Sequence, residues 1–147
     1  FERGRRRSMD ISLAETSDKM HETHAYQRVY WGGAAVAFDI DVQMRIESDG
    51  ARTLDEAMRH LRQCCGDAPH LWSAGDLLAQ LDTWYGSALF SRTAKTVLEA
   101  KALPDIEATM ARLGVQVHDG KVQLDEQSPN AAIRRSIMAP RRQPSSP

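Results

Sequence analysis

The chain has 147 residues, and its 41% hydrophobic content is enough to bury a modest core in one domain. Nineteen basic and twenty acidic residues leave a formal charge of -1, which argues against a surface built to neutralise a nucleic acid. Charged residues interrupt every apolar run well short of the roughly 20 residues of a membrane span, and no signal-peptide pattern opens the chain. The sequence therefore predicts a soluble chain, with nothing to decide between cytoplasm and periplasm.

The two ends of the chain differ in composition from its middle. Residues 1–10 form a basic extension, and residues 140–147 have the proline and serine content of an unfolded tail. Residues 11–139 contain no internal repeat and no linker. They are predicted to form one helical domain.

Helical spacing of apolar residues dominates the first half of this domain. A short helix is predicted between Ile11 and Met20, followed by polar residues up to Thr23. From Gly33 a long and largely buried helix is predicted to run to about Glu47, before the stop signal at residues 48–50.

Two capping boxes are predicted to start the next helices. Thr53 stands three residues before Glu56, and Ser73 stands three residues before Asp76, as the reciprocal hydrogen bonds of this motif require. Residues 66–69 separate the two helices, and a glycine at 86 ends the second. A further helix or two short ones are predicted over residues 89–98.

The end of the domain changes character. Pro104 and Gly114 mark the first turn and the end of one more helix. Valine and leucine then alternate around Asp119-Gly120, which predicts a β-hairpin over about residues 115–124. Ser128-Pro129 is predicted to start a last helix. The predicted fold class is therefore mainly α, with five to seven helices and one small hairpin near the C-terminus.

Three motifs in the middle of the chain resemble those of a known family. They are Tyr30-Trp-Gly-Gly33, which has the form Tyr-x-x-Gly, then Ile40-Asp-Val-Gln-Met-Arg45, and then Thr53-Leu-Asp-Glu56. In this order they resemble the gluzincin zinc aminopeptidases, most closely the glycyl-aminopeptidase-like family. The likeness covers roughly residues 25–138, the C-terminal helical part of the catalytic region.

The sequence contains no His-Glu-x-x-His motif. The resemblance therefore implies that zinc is held by an N-terminal part of the same polypeptide, which is the expected partner together with a peptide substrate. No cofactor is expected in this chain itself. An apolar surface left uncovered by such a partner would favour a homodimer.

The resemblance assigns a catalytic role to Tyr30. A phenol with a pKa near 10 is protonated at neutral pH and donates a hydrogen bond to the oxyanion of peptide hydrolysis without adding a charge. Gly32 and Gly33 would let the backbone approach a bound peptide and would present amides at a helix start. The family commonly has a second tyrosine at the position of Val29 and a lysine at that of Gly32. These departures support an alternative function, a non-catalytic helical interaction or regulatory module.

Other candidate residues favour structural interpretations. His21 and His24 are three apart, as on a shared helical face, but lack the spacing of a gluzincin zinc site and are predicted to be solvated. Asp41 and Arg45 are spaced for an i,i+4 pair that links helices, although they could also orient substrate. His60, His70 and His118 have no partner spacing.

The cysteines and arginines are also predicted to carry no chemistry. Cys64 and Cys65 are adjacent on a predicted helix, so no disulfide is expected between them and an inert thiol is favoured over a nucleophile. Several arginines near the ends are predicted to be solvated and not to bind phosphate: Arg3, Arg5, Arg6, Arg7, Arg134, Arg135, Arg141 and Arg142. Neither nucleic acid nor membrane is an expected partner.

Overall fold

The computed structural model describes residues 11–66 and 71–139. In these two ranges the chain forms eight helices and a two-stranded antiparallel sheet near its C-terminus. The predicted fold class is confirmed, with one helix more than the predicted maximum of seven. The predicted basic extension over residues 1–10 and the predicted tail over residues 140–147 lie outside the described residues.

The helices vary in length from one turn to six. In chain order they are α1 (Leu13–Asp18), α2 (Met20–Thr23), α3 (Tyr26–Glu47), α4 (Leu54–Cys65), α5 (Ala74–Tyr85), α6 (Leu89–Glu99), α7 (Ile106–Arg112) and α8 (Ala131–Met138). Strands β1 (Val115–His118) and β2 (Lys121–Leu124) lie between α7 and α8. Within the described ranges, no helix combines the length and the hydrophobicity that a membrane span needs.

The longest helix, α3, is the centre of the fold. It contacts α1, α2, α4, α6, α7 and α8. Its predicted end at Glu47 is confirmed, but its predicted start at Gly33 is wrong, because the helix begins seven residues earlier at Tyr26. Ala25, at the N-cap position, makes no side-chain cap hydrogen bond, so no sequence signal marks this start. Burial of the α3 face overrides the helix-breaking tendency of the two glycines.

The main core lies where α3, α4, α5 and α6 meet. Its members are apolar and at most 4% exposed: Ile40, Met44, Ala57, Leu81, Leu89 and Phe90. Partly buried side chains from the same helices surround them, including Val36, Leu54 and Trp84. Ile40 and Met44 come from α3, and the other four come from α4, α5 and α6. Of the two alternatives predicted for residues 89–98, the structure has the single helix, over Leu89–Glu99.

Both predicted capping boxes are present. Thr53 Oγ1 accepts a hydrogen bond from the Glu56 amide, while the Thr53 amide donates to the Glu56 carboxylate at 2.8 Å. Ser73 and Asp76 make the same pair of contacts at the start of α5. These local hydrogen bonds satisfy amides that a helix start leaves free.

Arg52 closes the end of α5. Its guanidinium group donates to the carbonyl oxygens of Trp84 and Tyr85 at 3.2 and 3.1 Å, and it lies 4.4 and 4.8 Å from the centres of their two rings. A cation is favourable at a helix C-terminus, where unpaired carbonyls carry partial negative charge. Tyr85 Oη also donates to Glu47 at 2.9 Å, so this contact joins the ends of α3 and α5.

The hairpin forms as predicted. Asp119 and Gly120 have φ angles of 50° and 72°, which is the positive pair of a type I′ turn. The strands pair in the register His118 with Lys121 and Val117 with Val122. The predicted helix end at Gly114 is also confirmed, since this glycine follows the C-cap Leu113 of α7 and has a φ of 71°.

Two predicted helix starts are displaced. Helix α7 begins at Ile106, and its N-cap is Asp105, whose carboxylate accepts from the Ala108 amide at 3.1 Å; Pro104 precedes the helix. The last helix begins at Ala131. In the turn before it, the backbone carbonyl oxygen of Ser128 accepts a hydrogen bond from the Ala131 amide. Near the N-terminus, the predicted single helix is divided, and α2 occupies part of the stretch predicted to be irregular.

Two further predictions are wrong. Cys64 and Cys65 form a disulfide, so neither is a free thiol. Both cysteines lie on the helix, as predicted, at its last two positions before the cap at Gly66. Arg134 is 5% exposed and therefore not a solvated side chain. It donates to the carbonyl oxygens of Leu113, Gly114 and Asp125 and to the Glu126 carboxylate.

Candidate functional site

Tyr30 presents its phenol to solvent on the first half of α3. Its side chain is 70% exposed, and its ring meets that of Trp31 edge-on at 5.4 Å between centroids. Among the described residues the hydroxyl has no hydrogen-bond partner. Tyr26, one turn earlier, differs because its hydroxyl lies 3.2 Å from His21 Nδ1. The Tyr30 hydroxyl is therefore available to a group outside the described residues.

The two glycines lie inside α3 and not at its start. They are its seventh and eighth residues, beyond the first four amides that a helix leaves unpaired, so the predicted amide site at a helix start is not formed. A Cβ atom at Gly32 would lie 2.6 Å from Leu13 Cδ2, whereas one at Gly33 would meet nothing within 4 Å. Gly32 lets α1 pack closely on α3, and Gly33 is open on the surface.

A groove of about 760 Å³ lies beside Trp31. One side is formed by α3 and α7, and the other by β1. Its lining from the helices is mainly apolar: Trp31, Ala34, Ile106, Glu107, Met110 and Ala111. All four residues of β1 complete it, and no residue of β2 does. Successive side chains of a strand point to opposite faces, so four consecutive lining residues mean that the groove follows the outer edge of β1.

A second, almost wholly apolar cavity of about 370 Å³ opens on the other side of Tyr30. It includes Val29 and Gly33 of α3, together with side chains of α1, α4, α5 and α6. Tyr30 lies one helical turn before Gly33 and Ala34, which belong to the two different cavities. The phenol therefore stands on the helix surface between them and lines neither.

Polar contacts fix the two helices that form the groove. Asp39 of α3 accepts from Thr109 Oγ1 at 2.8 Å and lies 3.5 Å from the Arg112 guanidinium group, both on α7. Arg134 binds the carbonyl oxygens at the junction of α7 and β1. These contacts fix the positions of α3, α7 and β1 relative to one another. Since these three elements line the groove, the contacts also fix its shape.

A third cavity, of about 470 Å³, lies between the hairpin and α8. Leu124 and Met138 line it and are 55% and 79% exposed. Val115 and Met110 also line it and belong to the groove beside Trp31 as well. The apolar surface is therefore continuous from α3 around the hairpin to α8.

The described residues contain no group of three histidine, cysteine, aspartate or glutamate side chains placed to hold a metal ion. Two of the histidines for which the sequence shows no partner spacing contact nearby side chains. The ring of His60 stacks on that of Trp84 with 5.4 Å between centroids, and His118 Nε2 lies 3.2 Å from Gln116 Oε1. His70 lies outside the described residues.

Asp41 and Arg45 form the predicted ion pair at 2.8 Å. Asp41 also accepts from the Leu54 amide at 2.8 Å, and Arg45 Nη1 lies 3.3 Å from Ser136 Oγ. The pair connects α3 with α4 and α8, which is the predicted structural role. A substrate is not needed to satisfy either group.

Comparison of the chain with models of protein families, with curated proteins and with solved structures finds no match.

Sequence reasoning did not find the groove. Its residues come from α3, α7 and β1, and no local motif indicates that these elements meet. The alternating valines and leucine predict the hairpin but not its exposure, and Val117 and Leu124 are 53% and 55% exposed. One signal in the sequence could have indicated a binding edge. A single predicted hairpin gives a two-stranded sheet, and such a sheet has two edges on which another strand can pair.

Proposed function

We propose that this chain is the C-terminal helical lobe of a zinc-dependent aminopeptidase-like hydrolase, with Tyr30 as the donor to the reaction's oxyanion. The observation that carries the proposal is the Tyr30 phenol, which is solvent-facing on a long helix and makes no hydrogen bond within the described residues. An exposed tyrosine hydroxyl held by a rigid helix is suited to donate to a group on a facing domain.

The fixed position of Tyr30 supports this role. Helix α3 is anchored at its N-terminal half by Arg28, which donates to the Ile11 and Lys101 carbonyl oxygens at 2.8 Å each. It is anchored further on by Asp39 and Asp41. A donor on an element held in this way loses little entropy when it binds a transition state, and one such donor contributes about 10²- to 10³-fold in rate.

Zinc belongs, in this proposal, to another part of the same polypeptide, because this sequence contains no His-Glu-x-x-His motif. Bound there, it would supply the Lewis acid for peptide hydrolysis. In this proposal the chain contributes the Tyr30 hydrogen bond and the α3 surface around it as one wall of a cleft that forms only against the zinc-holding part, since Tyr30 lines neither nearby cavity. The test is an assay of the 147-residue chain with zinc and glycyl amides. We expect no turnover, and robust turnover would contradict the assignment of zinc to another part.

A second candidate function is a non-catalytic interaction module. The observation that favours it is the exposed apolar pair Leu124 and Met138, because large apolar side chains grouped on a surface mark interaction sites. Val29 and Gly32, which depart from the aminopeptidase pattern, agree with it. The two candidates are distinguished by Tyr30→Phe in the complete polypeptide, which changes turnover in the first and has no consequence in the second.

A further inference from the structure

We propose that the groove along β1 binds an extended peptide segment, which adds to the hairpin as a third strand. This site is separate from the role of Tyr30 and goes beyond either function proposed above. The proposal depends on the outer backbone edge of β1 and on the apolar side chains of α3 and α7 opposite it. Together, the edge and these side chains determine which residues of the bound segment are apolar.

The backbone groups at the groove follow from the register of the hairpin. In an antiparallel pair, hydrogen-bonded and non-hydrogen-bonded residue pairs alternate, and the pair that closes a two-residue turn is hydrogen-bonded. His118 and Lys121 form that closing pair. The pairs Val117 with Val122 and Val115 with Leu124 are therefore of the other kind. The Asp125 amide donates to the Gly114 carbonyl oxygen at 2.8 Å, which agrees with this alternation.

Val115 and Val117 consequently direct their amide and carbonyl groups away from β2 and towards the groove. A strand edge of this kind is the template on which an extended peptide pairs, because the peptide backbone supplies the missing partners. An occupant without an extended backbone, such as a helix, would leave these groups unpaired.

The side chains around the groove define the sequence pattern of the occupant. The face of the hairpin that carries Val115 and Val117 continues into the apolar surface of Trp31, Ile106 and Met110. The opposite face carries Gln116 and His118. Side chains of an added strand alternate between the same two faces. The expected occupant therefore has apolar residues at every second position and polar residues between them.

The shape of the groove favours a single peptide over the hairpin of a second copy. Within residues 11–66 and 71–139 no strand pairs with the outer edge of β1. Helices α3 and α7 face this edge across the groove, so it opens into a slot with two walls and not onto an unobstructed surface. One added strand occupies about 4.8 Å beside β1. A second hairpin would have to bring a further strand into the space bounded by the helices.

The first test uses a pair of variants in one cross-strand pair. Val117→Pro removes an amide that faces the groove, and Val122→Pro removes the equivalent amide at the opposite edge, so neither removes a hydrogen bond between β1 and β2. The probe is an acetylated and amidated heptapeptide of alternating valine and threonine, and the readout is its Kd together with amide shifts and hydrogen exchange at Val115 and Val117. We expect saturable binding, about 3- to 10-fold weaker in Val117→Pro and unchanged in Val122→Pro.

The second test changes the peptide and does not depend on the folding of a variant. Methylating the amide nitrogens of the valines blocks the donors that face β1 if the peptide binds antiparallel, and methylating those of the threonines blocks them if it binds parallel. One methylated peptide should therefore bind at least about 3-fold more weakly than the other.

Several results would overturn the proposal: absence of saturable binding, equal weakening by both proline variants, or equal weakening by both methylated peptides. Analytical sedimentation measures whether the chain self-associates through the edge of β1 instead. Self-association that Val117→Pro abolishes, without any peptide binding, would assign the edge to a second copy of the chain.

Discussion

Asp41 in the middle of α3 caps the start of α4, because its Oδ1 accepts a 2.8 Å hydrogen bond from the Leu54 amide. Its other oxygen accepts from Arg45 Nε at the same distance. One carboxylate thus satisfies a free helix amide and neutralises a partly buried arginine. The contact joins the helix that carries Tyr30 to the helix that supplies Ala57 to the core.

Asp41→Ala should destabilise the chain by about 2 kcal/mol, because it removes a helix cap and the carboxylate that pairs with Arg45. Lys95→Ala is the control. Lys95 pairs with Glu99 at 4.0 Å on the surface, and its loss should cost no more than about 0.5 kcal/mol. Urea unfolding monitored by circular dichroism measures both, and equal effects would contradict the role assigned to Asp41.

Arg28→Met should lower the free energy of unfolding by about 2–4 kcal/mol. Arg28 is 2% exposed, and the change leaves the Ile11 and Lys101 carbonyl oxygens without this donor. Burial also lowers the pKa of the Arg28 guanidinium group from its ordinary value. Arg59→Met, at an exposed position of α4, is the matched control and should change stability by less than about 0.5 kcal/mol. Chemical denaturation compares the two.

The two glycines of α3 should respond oppositely to alanine. Gly33→Ala should stabilise the chain by about 0.5–1 kcal/mol, because the added methyl group meets nothing and alanine favours the helix. Gly32→Ala gains the same preference but forces Leu13 to move, at a cost of about 1–3 kcal/mol. Thermal unfolding of the two variants should show Gly33→Ala to be the more stable. The reverse order would contradict the close packing of Leu13 against Gly32.

Tyr85 should make the stability of the chain sensitive to alkaline pH. Burial, followed by the hydrogen bond to Glu47 and the charge of Glu47, raises the pKa of Tyr85 to about 12 from its ordinary value of 10.0. The folded state thus favours the protonated phenol, a contribution that is complete below pH 10 and lost as the pH rises towards 12.

The comparison for this prediction is Tyr85→Phe, which keeps the ring and removes the titrating hydroxyl. Between pH 9 and about 11.5, unfolding free energy should fall more steeply in the unmodified chain than in the variant. Parallel pH profiles for the two proteins would show that the folded state does not raise the pKa of Tyr85.

The sequence predicted those parts of the fold that local hydrogen bonds determine. Thr53, Ser73 and the Asp119-Gly120 turn each satisfy nearby backbone groups, so their motifs are visible within four residues. The start of α3 was missed because Ala25 makes no cap contact, and packing alone extends the helix to Tyr26. Long-range effects set such boundaries.

The candidate site was only partly predictable for the same reason. The exposure of Tyr30 depends on how α3 packs, and the tight approach at Gly32 depends on Leu13 from another helix. Arg134 is buried because the carbonyl oxygens that it binds come from the junction of α7 and β1 and from the segment after β2. None of these contacts has a signature within the residues themselves.

The measurement that tests the proposed function most directly is the turnover of the complete polypeptide with Tyr30→Phe on a glycyl amide substrate. Tyr26→Phe is the control, since it removes a hydroxyl from the same helix that instead contacts His21. We expect kcat to fall about 10²- to 10³-fold for Tyr30→Phe, with folding unchanged, and to be unaffected by Tyr26→Phe. An unchanged kcat in Tyr30→Phe would contradict the role of Tyr30 as the oxyanion donor.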